Sequence, residues 1–215
     1  MEKFKEFDST KGFWTKELKE LVLKGDVKTA EEAIKNGADV NAVYNNGDSL
    51  LMKASELGHK EIVELLLRYN VDIEYQNAEG WNALMRAAEA NNAEIIKKLL
   101  AKGADSNKQN KFGWTALIVA ADYNNKEAVE ALLEDKRINV NIRDNLGLTA
   151  LAHASRKNNL EIVEIISKAE KLNVFINMPA PLIAEHWSKE QVVEYFREDP
   201  KFGKFLRNQR KQKEE

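Results

Sequence analysis

The residues whose side chains could do chemistry are few in this chain of 215 residues, and they are not grouped. There is no cysteine, which excludes disulfides, thiol catalysis and thiolate metal sites. The three histidines, His59, His153 and His186, lie far apart in the sequence, and no two of them form a pair at ligand spacing. The sequence has no Gly-x-Ser-x-Gly motif and no glycine-rich phosphate loop. We therefore predict that the protein is not an enzyme and holds no metal or cofactor.

The charged residues predict a solvated surface rather than a reactive site. The 33 basic and 35 acidic residues leave a net charge of −2, so no overall field favours nucleic acid or a membrane. The many carboxylates fall on predicted helical faces, where we expect them to be solvated. We expect His59 to be structural, in a turn between two helices, and His153 to lie near the rim of its helix.

The compartment is expected to be the cytoplasm, or a host cell reached without a classical signal peptide. No apolar run approaches the ~18 residues that a membrane-spanning helix needs. The segment 1–7 mixes acids with aromatics and has no apolar signal core. The asparagine- and lysine-rich usage is typical of an AT-rich, bacterial genome.

A repeat of about 33 residues organises most of the chain. Four glycines, Gly47, Gly80, Gly113 and Gly147, are spaced by 33, 33 and 34 residues. In each row a leucine follows four residues after the glycine, an alanine seven after and a glutamate fourteen after. Agreement at several columns in four rows indicates stacked copies of one structural unit.

Each unit is predicted to contain two helices. Two residues after each glycine stands a residue that can cap a helix N-terminus: Ser49, Asn82, Thr115 and Thr149. The second helix carries apolar residues at helical spacing, such as Ile62, Val63 and Leu66. Left-handed residues are predicted to end helices at Gly37, Asn70 and Gly103. Three residues before the glycine, an Asx side chain is predicted to close a tight turn: Asn77, Asn110 and Asp144.

This pattern resembles the ankyrin repeat over about residues 13 to 174. The resemblance rests on Gly-Ala-Asp-Val-Asn-Ala at 37–42, Gly-His-Lys-Glu-Ile-Val-Glu-Leu-Leu-Leu at 58–67 and Gly-Trp-Thr-Ala-Leu at 113–117. It implies an all-α solenoid of stacked helix-turn-helix units with β-turn fingers and a short helical C-terminal cap. The predicted array covers residues 1–178. Its N-terminal capping repeat is 13–45, and the further repeats are 46–78, 79–111, 112–145 and 146–178.

Two departures from the family pattern stand out. The family's Thr-Pro-Leu-His tetrapeptide keeps neither its proline nor its histidine in any row. We expect packing to replace the histidine hydrogen bonds, with Met52 and Met85 in the core at the histidine column. In the last row, the segment 168–174 replaces the Gly-Ala-Asp closure. We therefore expect the solenoid to stop there.

The resemblance implies a protein partner held by the concave surface, which the finger tips and the first helices form. Trp81, Phe112, Trp114 and Tyr123 fall at contact columns and are expected to form one exposed patch. Early rows offer acids at these columns and the last row offers bases, which predicts a charge gradient along the surface. The complete set of predicted partner-binding residues is Trp81, Phe112, Trp114, Tyr123, Leu146, Leu148, Arg143, Arg156, Glu89 and Asp122.

The segment 179–215 differs from the repeats in composition. All three prolines of the chain fall at or after position 179. A capping box at Ser188 to Gln191 opens a predicted helix, and a second follows Pro200. Six basic residues and no acid fall between Lys201 and Lys213. We expect a helical cap for the last repeat. Contact with nucleic acid or an acidic partner, and contact with a membrane surface, are the alternatives.

The sequence therefore predicts a non-enzymatic protein-binding module, expected to be a monomer. It could act as an adaptor, an inhibitor, an effector or an immunity-type protein. The alternative function is a protein associated with nucleic acid or an acidic partner through its basic C-terminal tail.

Overall fold

The structure is a computed structural model that describes residues 9–169 and residue 172. Within these residues the chain forms ten α-helices and no strand, apart from one isolated bridge between Val43 and Ser49. The helices are α1 (Ser9–Lys24), α2 (Val27–Lys35), α3 (Leu50–Leu57), α4 (Lys60–Arg68), α5 (Ala83–Glu89), α6 (Ala93–Ala101), α7 (Ala116–Asp122), α8 (Lys126–Leu133), α9 (Ala150–Arg156) and α10 (Leu160–Ser167).

The helices stack in two rows. The first helices of the pairs contact one another in the order α1, α3, α5, α7 and α9, and the second helices in the order α2, α4, α6, α8 and α10. Every helix therefore packs against its equivalent in a neighbouring repeat. This is the arrangement of a helical solenoid, in which each repeat buries its apolar face against its neighbours.

The core between the rows consists of small and aliphatic side chains. One alanine column, seven residues after each repeat glycine, is fully buried in all four rows, which lets neighbouring first helices approach closely: Ala54, Ala87, Ala120 and Ala154. Burying one leucine side chain contributes about 2 kcal/mol before entropy is subtracted. The column at which the family pattern has histidine is also buried, in an apolar core. This confirms that packing replaces the hydrogen bonds of the histidine. The residues at this column are Met52, Met85, Ile118 and Ala152.

The predicted caps of the first helices are confirmed. The side chains of Ser49, Asn82, Thr115 and Thr149 each accept a bond from the backbone N–H three residues on, which satisfies an otherwise unpaired amide of the first turn. The predicted left-handed positions are also confirmed at Gly37, Asn70 and Gly103, with φ angles of 93°, 55° and 96°.

The turn between the two helices of a pair needs a residue with positive φ. In order along the chain these residues are Gly25, Gly58, Asn91, Asn124 and Asn158, with φ angles of 72°, 75°, 57°, 59° and 59°. Glycine adopts this conformation without strain, and asparagine is among the few other residues that tolerate it. The Asn-Asn pairs of the later repeats therefore have a backbone role.

The residue after this turn reaches back to the preceding repeat. The side-chain amides of Asn92, Asn125 and Asn159 donate to the carbonyls of Ser55, Ala88 and Ala121 at 2.8, 2.8 and 3.0 Å. These carbonyls lie at helix C-terminal ends, where the backbone lacks intrahelical partners. His59 occupies the same column, and its Nε2 lies 3.2 Å from the carbonyl oxygen of Leu23. The prediction of a structural His59 is confirmed.

The last described residues repeat a backbone bond of the preceding repeat. The N–H of Leu172 donates to the carbonyl of Ala169 at 3.1 Å, and 34 residues earlier the N–H of Ile138 donates to that of Asp135 at 3.0 Å. The predictions for the capping box at Ser188 to Gln191 and for the whole segment 179–215 lie outside the described residues.

Candidate binding surface: the finger face

The fingers are tight turns that project between the second helix of one repeat and the first helix of the next. In the second, third and fourth fingers, one Asx side-chain oxygen accepts two backbone N–H groups. Asn110 Oδ1 accepts those of Phe112 and Trp114, both at 2.9 Å. Asp144 Oδ1 accepts those of Leu146 and Leu148 at 2.9 and 2.8 Å. These bonds confirm the predicted Asx turns and hold the shape of each finger.

Neighbouring fingers are also bonded to each other. The N–H of Lys111 donates to the carbonyl of Glu79, and that of Asn145 donates to the carbonyl of Phe112, both at 3.0 Å. The fingers approach so closely that a Cβ added to Gly113 would lie 2.7 Å from the backbone nitrogen of Asn145. The second, third and fourth fingers therefore form one continuous row.

A pair of glutamines extends this row at the base of the fingers. Gln76 donates to the carbonyl of Gly80 in its own finger and to that of Gln109 in the next, at 2.5 and 3.1 Å. Gln109 repeats the pattern one unit on, with Gly113 and Arg143 at 2.6 and 3.0 Å. The bonds from Gln76 to Gln109 and from Gln109 to Arg143 therefore link equivalent positions of successive repeats.

The surface made by the finger tips and the exposed ends of the first helices is called the finger face below. It exposes three of the predicted side chains, Phe112, Tyr123 and Leu146, at 55%, 51% and 75% of their surface. Phe112 and Leu146 stand at the tips of neighbouring, bonded fingers. Tyr123 directly follows α7, and burial together with the carboxylate of Glu89 raises the pKa of its hydroxyl, which therefore stays a neutral donor. Trp114 is half-buried against the core.

Two predicted contact residues are buried, so the expected four-residue aromatic patch is wrong in part. Trp81 is 9% exposed and Leu148 is 3% exposed. Both directly follow the repeat glycine, where the Asx bond draws the backbone N–H inward and the side chain lies at the finger base. The guanidinium of Arg86 covers the Trp81 ring at 4.7 Å from its centroid. The patch consists instead of Phe112, Tyr123 and Leu146 with part of Trp114.

An arginine cluster lies beneath the early part of the finger face. Arg86 donates to Asp48 Oδ2 at 3.1 Å and to Glu89 at 2.9 Å. The Asn77 side-chain amide donates to Asp48 Oδ1 at 2.6 Å. Burial alone would lower the pKa of Arg86, but Glu89 and Asp48 raise it further above its usual range. Asp48 is 1% exposed, so it supports the surface from within. We call this group the Arg86 node.

A histidine cluster occupies the equivalent place in the late repeats. His153 Nε2 lies 2.8 Å from Asp144 Oδ2, and Nδ1 lies 2.9 Å from Asp122 Oδ1. Burial alone would raise the pKa of Asp122, but the hydrogen bond and charge of His153, with the charge of Lys157, hold it below its usual value. The Trp114 ring packs nearly perpendicular to the imidazole, at 74°, with centroids 5.1 Å apart. We call this group the His153 node.

The expectation that His153 lies near the rim of its helix is wrong. The side chain is fully buried, because the finger turn and the end of α7 close over it from two sides. Sequence reasoning missed the node. Its available signal was Asp144, a charged residue in the Asx column where the two preceding repeats carry asparagine.

The predicted charge gradient is largely cancelled by ion pairs. Glu56 pairs with Lys53 at 2.8 Å, and Glu89 pairs with Arg86 at 2.9 Å. At the late end, Arg156 and Lys157 both approach Asp122, at 3.3 and 3.4 Å. Acids and bases of the first helices therefore neutralise each other locally. Arg143, beside the last finger, is exposed.

The described part of the chain shows no group of three or more acidic or histidine side chains placed to hold a metal ion. None of the helices between residues 9 and 169 has both the length and the apolar character that a bilayer crossing requires.

Stacked helix pairs, capped first helices and bonded fingers define a solenoid repeat protein. A family model described as ankyrin repeats (3 copies) matches residues 18–110 and 84–177. The chain belongs to the ankyrin repeat family, whose repeats generally serve as non-enzymatic modules for protein–protein interaction. No curated protein matches the chain.

Proposed function

We propose that this protein is a non-enzymatic module that binds a protein partner through its finger face. The observation that carries the proposal is the pair of large apolar side chains at neighbouring finger tips, Phe112 and Leu146, both mostly exposed. Interface energy concentrates in a few large side chains near the centre of a contact. Tyr123 and the exposed part of Trp114 add aromatic surface on the same repeats.

The rigidity of the fingers supports the proposal. Ordering a flexible loop on binding costs free energy, and a surface that is already ordered avoids that cost. The Asx bonds within the fingers and the backbone bonds between them hold Phe112 and Leu146 side by side before any partner arrives. A partner would therefore meet a preformed apolar surface.

The remaining predicted contact residues surround this centre. We propose that Arg143, Arg156, Glu89 and Asp122 make polar contacts at its edge, where ion pairs contribute more to orientation than to affinity. Trp81 and Leu148 support the surface from within and are not proposed as contacts. A monomer acting in the bacterial cytoplasm, or in a host cell, remains part of the proposal.

Site-specific photo-crosslinking in the source cell tests the proposal. A benzoylphenylalanine residue is placed at Phe112 or Leu146, and at Leu160 as a control. Leu160 is 54% exposed, which matches Phe112, but it begins α10 outside the finger face. We expect one protein to crosslink at both finger tips and not at the control position. Crosslinking only from Leu160, or crosslinking to nucleic acid instead of protein, would overturn the proposal.

A further inference from the structure

His153 joins three parts of the finger face by one chain of hydrogen bonds. It stands on α9, its Nδ1 lies 2.9 Å from Asp122 at the end of α7, and its Nε2 lies 2.8 Å from Asp144 in the fourth finger. The second oxygen of Asp144 accepts the N–H groups of Leu146 and Leu148. The imidazole is thus linked through a single carboxylate to the most exposed apolar side chain of the surface.

The protonation state of the His153 ring decides whether both of its hydrogen bonds, to Asp122 and to Asp144, can form. A neutral imidazole has one N–H donor and one nitrogen lone pair, whereas the imidazolium has two donors. Both ring nitrogens of His153 face carboxyl oxygens. While both carboxyl groups are ionised they can only accept, so both bonds form only when the ring carries both protons. The ring is fully buried, so water cannot supply the missing donor.

Of the two carboxylates that face the ring, Asp144 depends on His153 for its positive partner, whereas Asp122 has others. From α7, Asp122 faces Nδ1 and also pairs with Arg156, the last residue of α9, and with Lys157, which directly follows that helix. From the finger, Asp144 faces Nε2, and within the described residues His153 is the cation with which it pairs. Loss of the ring proton therefore leaves Asp122 with two cations and leaves the buried Asp144 with none among those residues.

We propose that His153 is a pH-sensitive positioning residue of the finger face. When protonated, it holds the turn from Asp144 to Leu148 against the end of α7 and keeps Leu146 beside Phe112. When it loses a proton, the repulsion between its lone pair and a carboxylate loosens that turn. The effect on partner binding rests on the proposed function, but the protonation state and the finger can be measured without a partner.

The third finger provides a matched internal control. Asn110 accepts the N–H groups of Phe112 and Trp114 in the same geometry as Asp144 accepts those of Leu146 and Leu148. The asparagine carries no charge, and the first helix of that repeat has Val119 at the column where α9 has His153. A change of pH through the imidazole range should therefore act on the fourth finger and spare the third.

The test uses the intact chain labelled with ¹⁵N. Histidine ring-nitrogen shifts and amide hydrogen exchange are followed from about pH 5 to about pH 9, which brackets the range where imidazoles titrate. We expect both His153 nitrogens to carry protons at the acidic end. As one proton leaves, protection of the Leu146 and Leu148 amides should fall by about tenfold relative to that of Phe112, the equivalent of one lost hydrogen bond.

Two variants separate a pH-sensitive role from a purely structural one. Asp144→Asn keeps the oxygen that holds the finger, as in the sister repeats, but removes the charge that the ring faces. We expect the pH dependence of finger protection to disappear in this variant while the finger stays protected. His153→Gln should give a finger that is equally protected at every pH.

A His153 ring that is neutral across the whole range, or a fourth finger whose protection follows the third at every pH, would overturn the inference. A persistent pH dependence in Asp144→Asn would also overturn it. Failure of the proposed function has a separate signature: the finger would respond to pH, and yet crosslinking from Leu146 would capture no protein.

Discussion

The Arg86 node and the His153 node occupy the same place in two different repeats. Both central residues stand six positions after their repeat glycine, and both connect a first helix to the finger region with the help of a buried aspartate. The Arg86 guanidinium lies over the Trp81 ring, and the His153 ring packs nearly perpendicular to that of Trp114. The two nodes differ in their cation, because a guanidinium stays charged at any physiological pH and an imidazole does not.

This difference shows what the nodes contribute. In the third full repeat the same column holds Val119, which is buried in an apolar environment, and the repeat keeps its helix pair and its finger. The repeat fold therefore does not require a cation at this position. We infer that the nodes position the finger base locally, permanently at Arg86 and conditionally at His153.

The largest expected effect is that of Asp144→Ala. It removes two finger hydrogen bonds and leaves the buried His153 facing a cavity, so we expect a loss of about 4 kcal/mol in the free energy of unfolding. Urea denaturation monitored by circular dichroism measures it. The control is Asp144→Asn, which keeps the finger bonds and should lose about 1 kcal/mol. Equal losses in the two variants would show that the charge, not the finger bonds, stabilises this region.

Arg86→Met should cost slightly less, about 3 kcal/mol, because it leaves the buried carboxylate of Asp48 without its cation. We expect the loss to be the same at about pH 6 and about pH 8, because a guanidinium keeps its charge at both values. An unperturbed imidazole changes its protonation state between them. Lys53 stands at the same column, and the matched variant Lys53→Met breaks its partly exposed pair with Glu56, which should cost less than about 1 kcal/mol. A strong pH dependence in Arg86→Met would remove the distinction between the nodes.

Acid should weaken the His153 node through Asp122. Its pKa is lowered in the folded protein, so its contribution to stability is present above the pKa of the unfolded chain and is lost as the pH falls through the folded value. Because solvent screens part of the ion pair, we expect roughly 1 kcal/mol between neutral pH and about pH 3. Denaturation of the wild type and of Asp122→Asn at both pH values measures it. The contribution is absent if both proteins lose the same stability in acid.

The smallest expected change in stability is that of Leu146→Ser or Phe112→Ser. Both side chains are mostly exposed, so we expect the free energy of unfolding to change by less than about 0.5 kcal/mol. Partner binding should weaken by about 2 kcal/mol if these residues form the centre of the contact. Trp114→Ala should lower both the affinity for the partner and the free energy of unfolding, since the ring is partly exposed and also packs on His153. Unchanged affinity in both serine variants would place the partner elsewhere.

The elements of this fold were predictable from sequence where a local rule decides them. A capping Ser49 and a turn-closing Asn110 follow from spacing within one unit, because the bonds they make span only a few residues. The exposure of Trp81 was not predictable in this way, because it depends on Arg86 lying over the ring. The contact between Asp122 and His153 spans 31 residues, and it forms only because α7 and α9 pack side by side.

The side-chain bonds that join successive repeats are compatible with arrays of different repeat number. Gln76 and Gln109 reach the same carbonyl positions one unit ahead, and Asn92 and Asn125 reach the same positions one unit behind. Removal of residues 80–112 would place Gly113 directly after Glu79 and would bring Asn125 opposite Ser55, so each of these glutamine and asparagine bonds would keep an equivalent partner. The Arg86 node would be lost, because Val119 would take the place of Arg86 beside Asp48. For the bonds that join successive repeats, whole units are thus interchangeable, and a gain or loss of one copy would change the reach of the finger face.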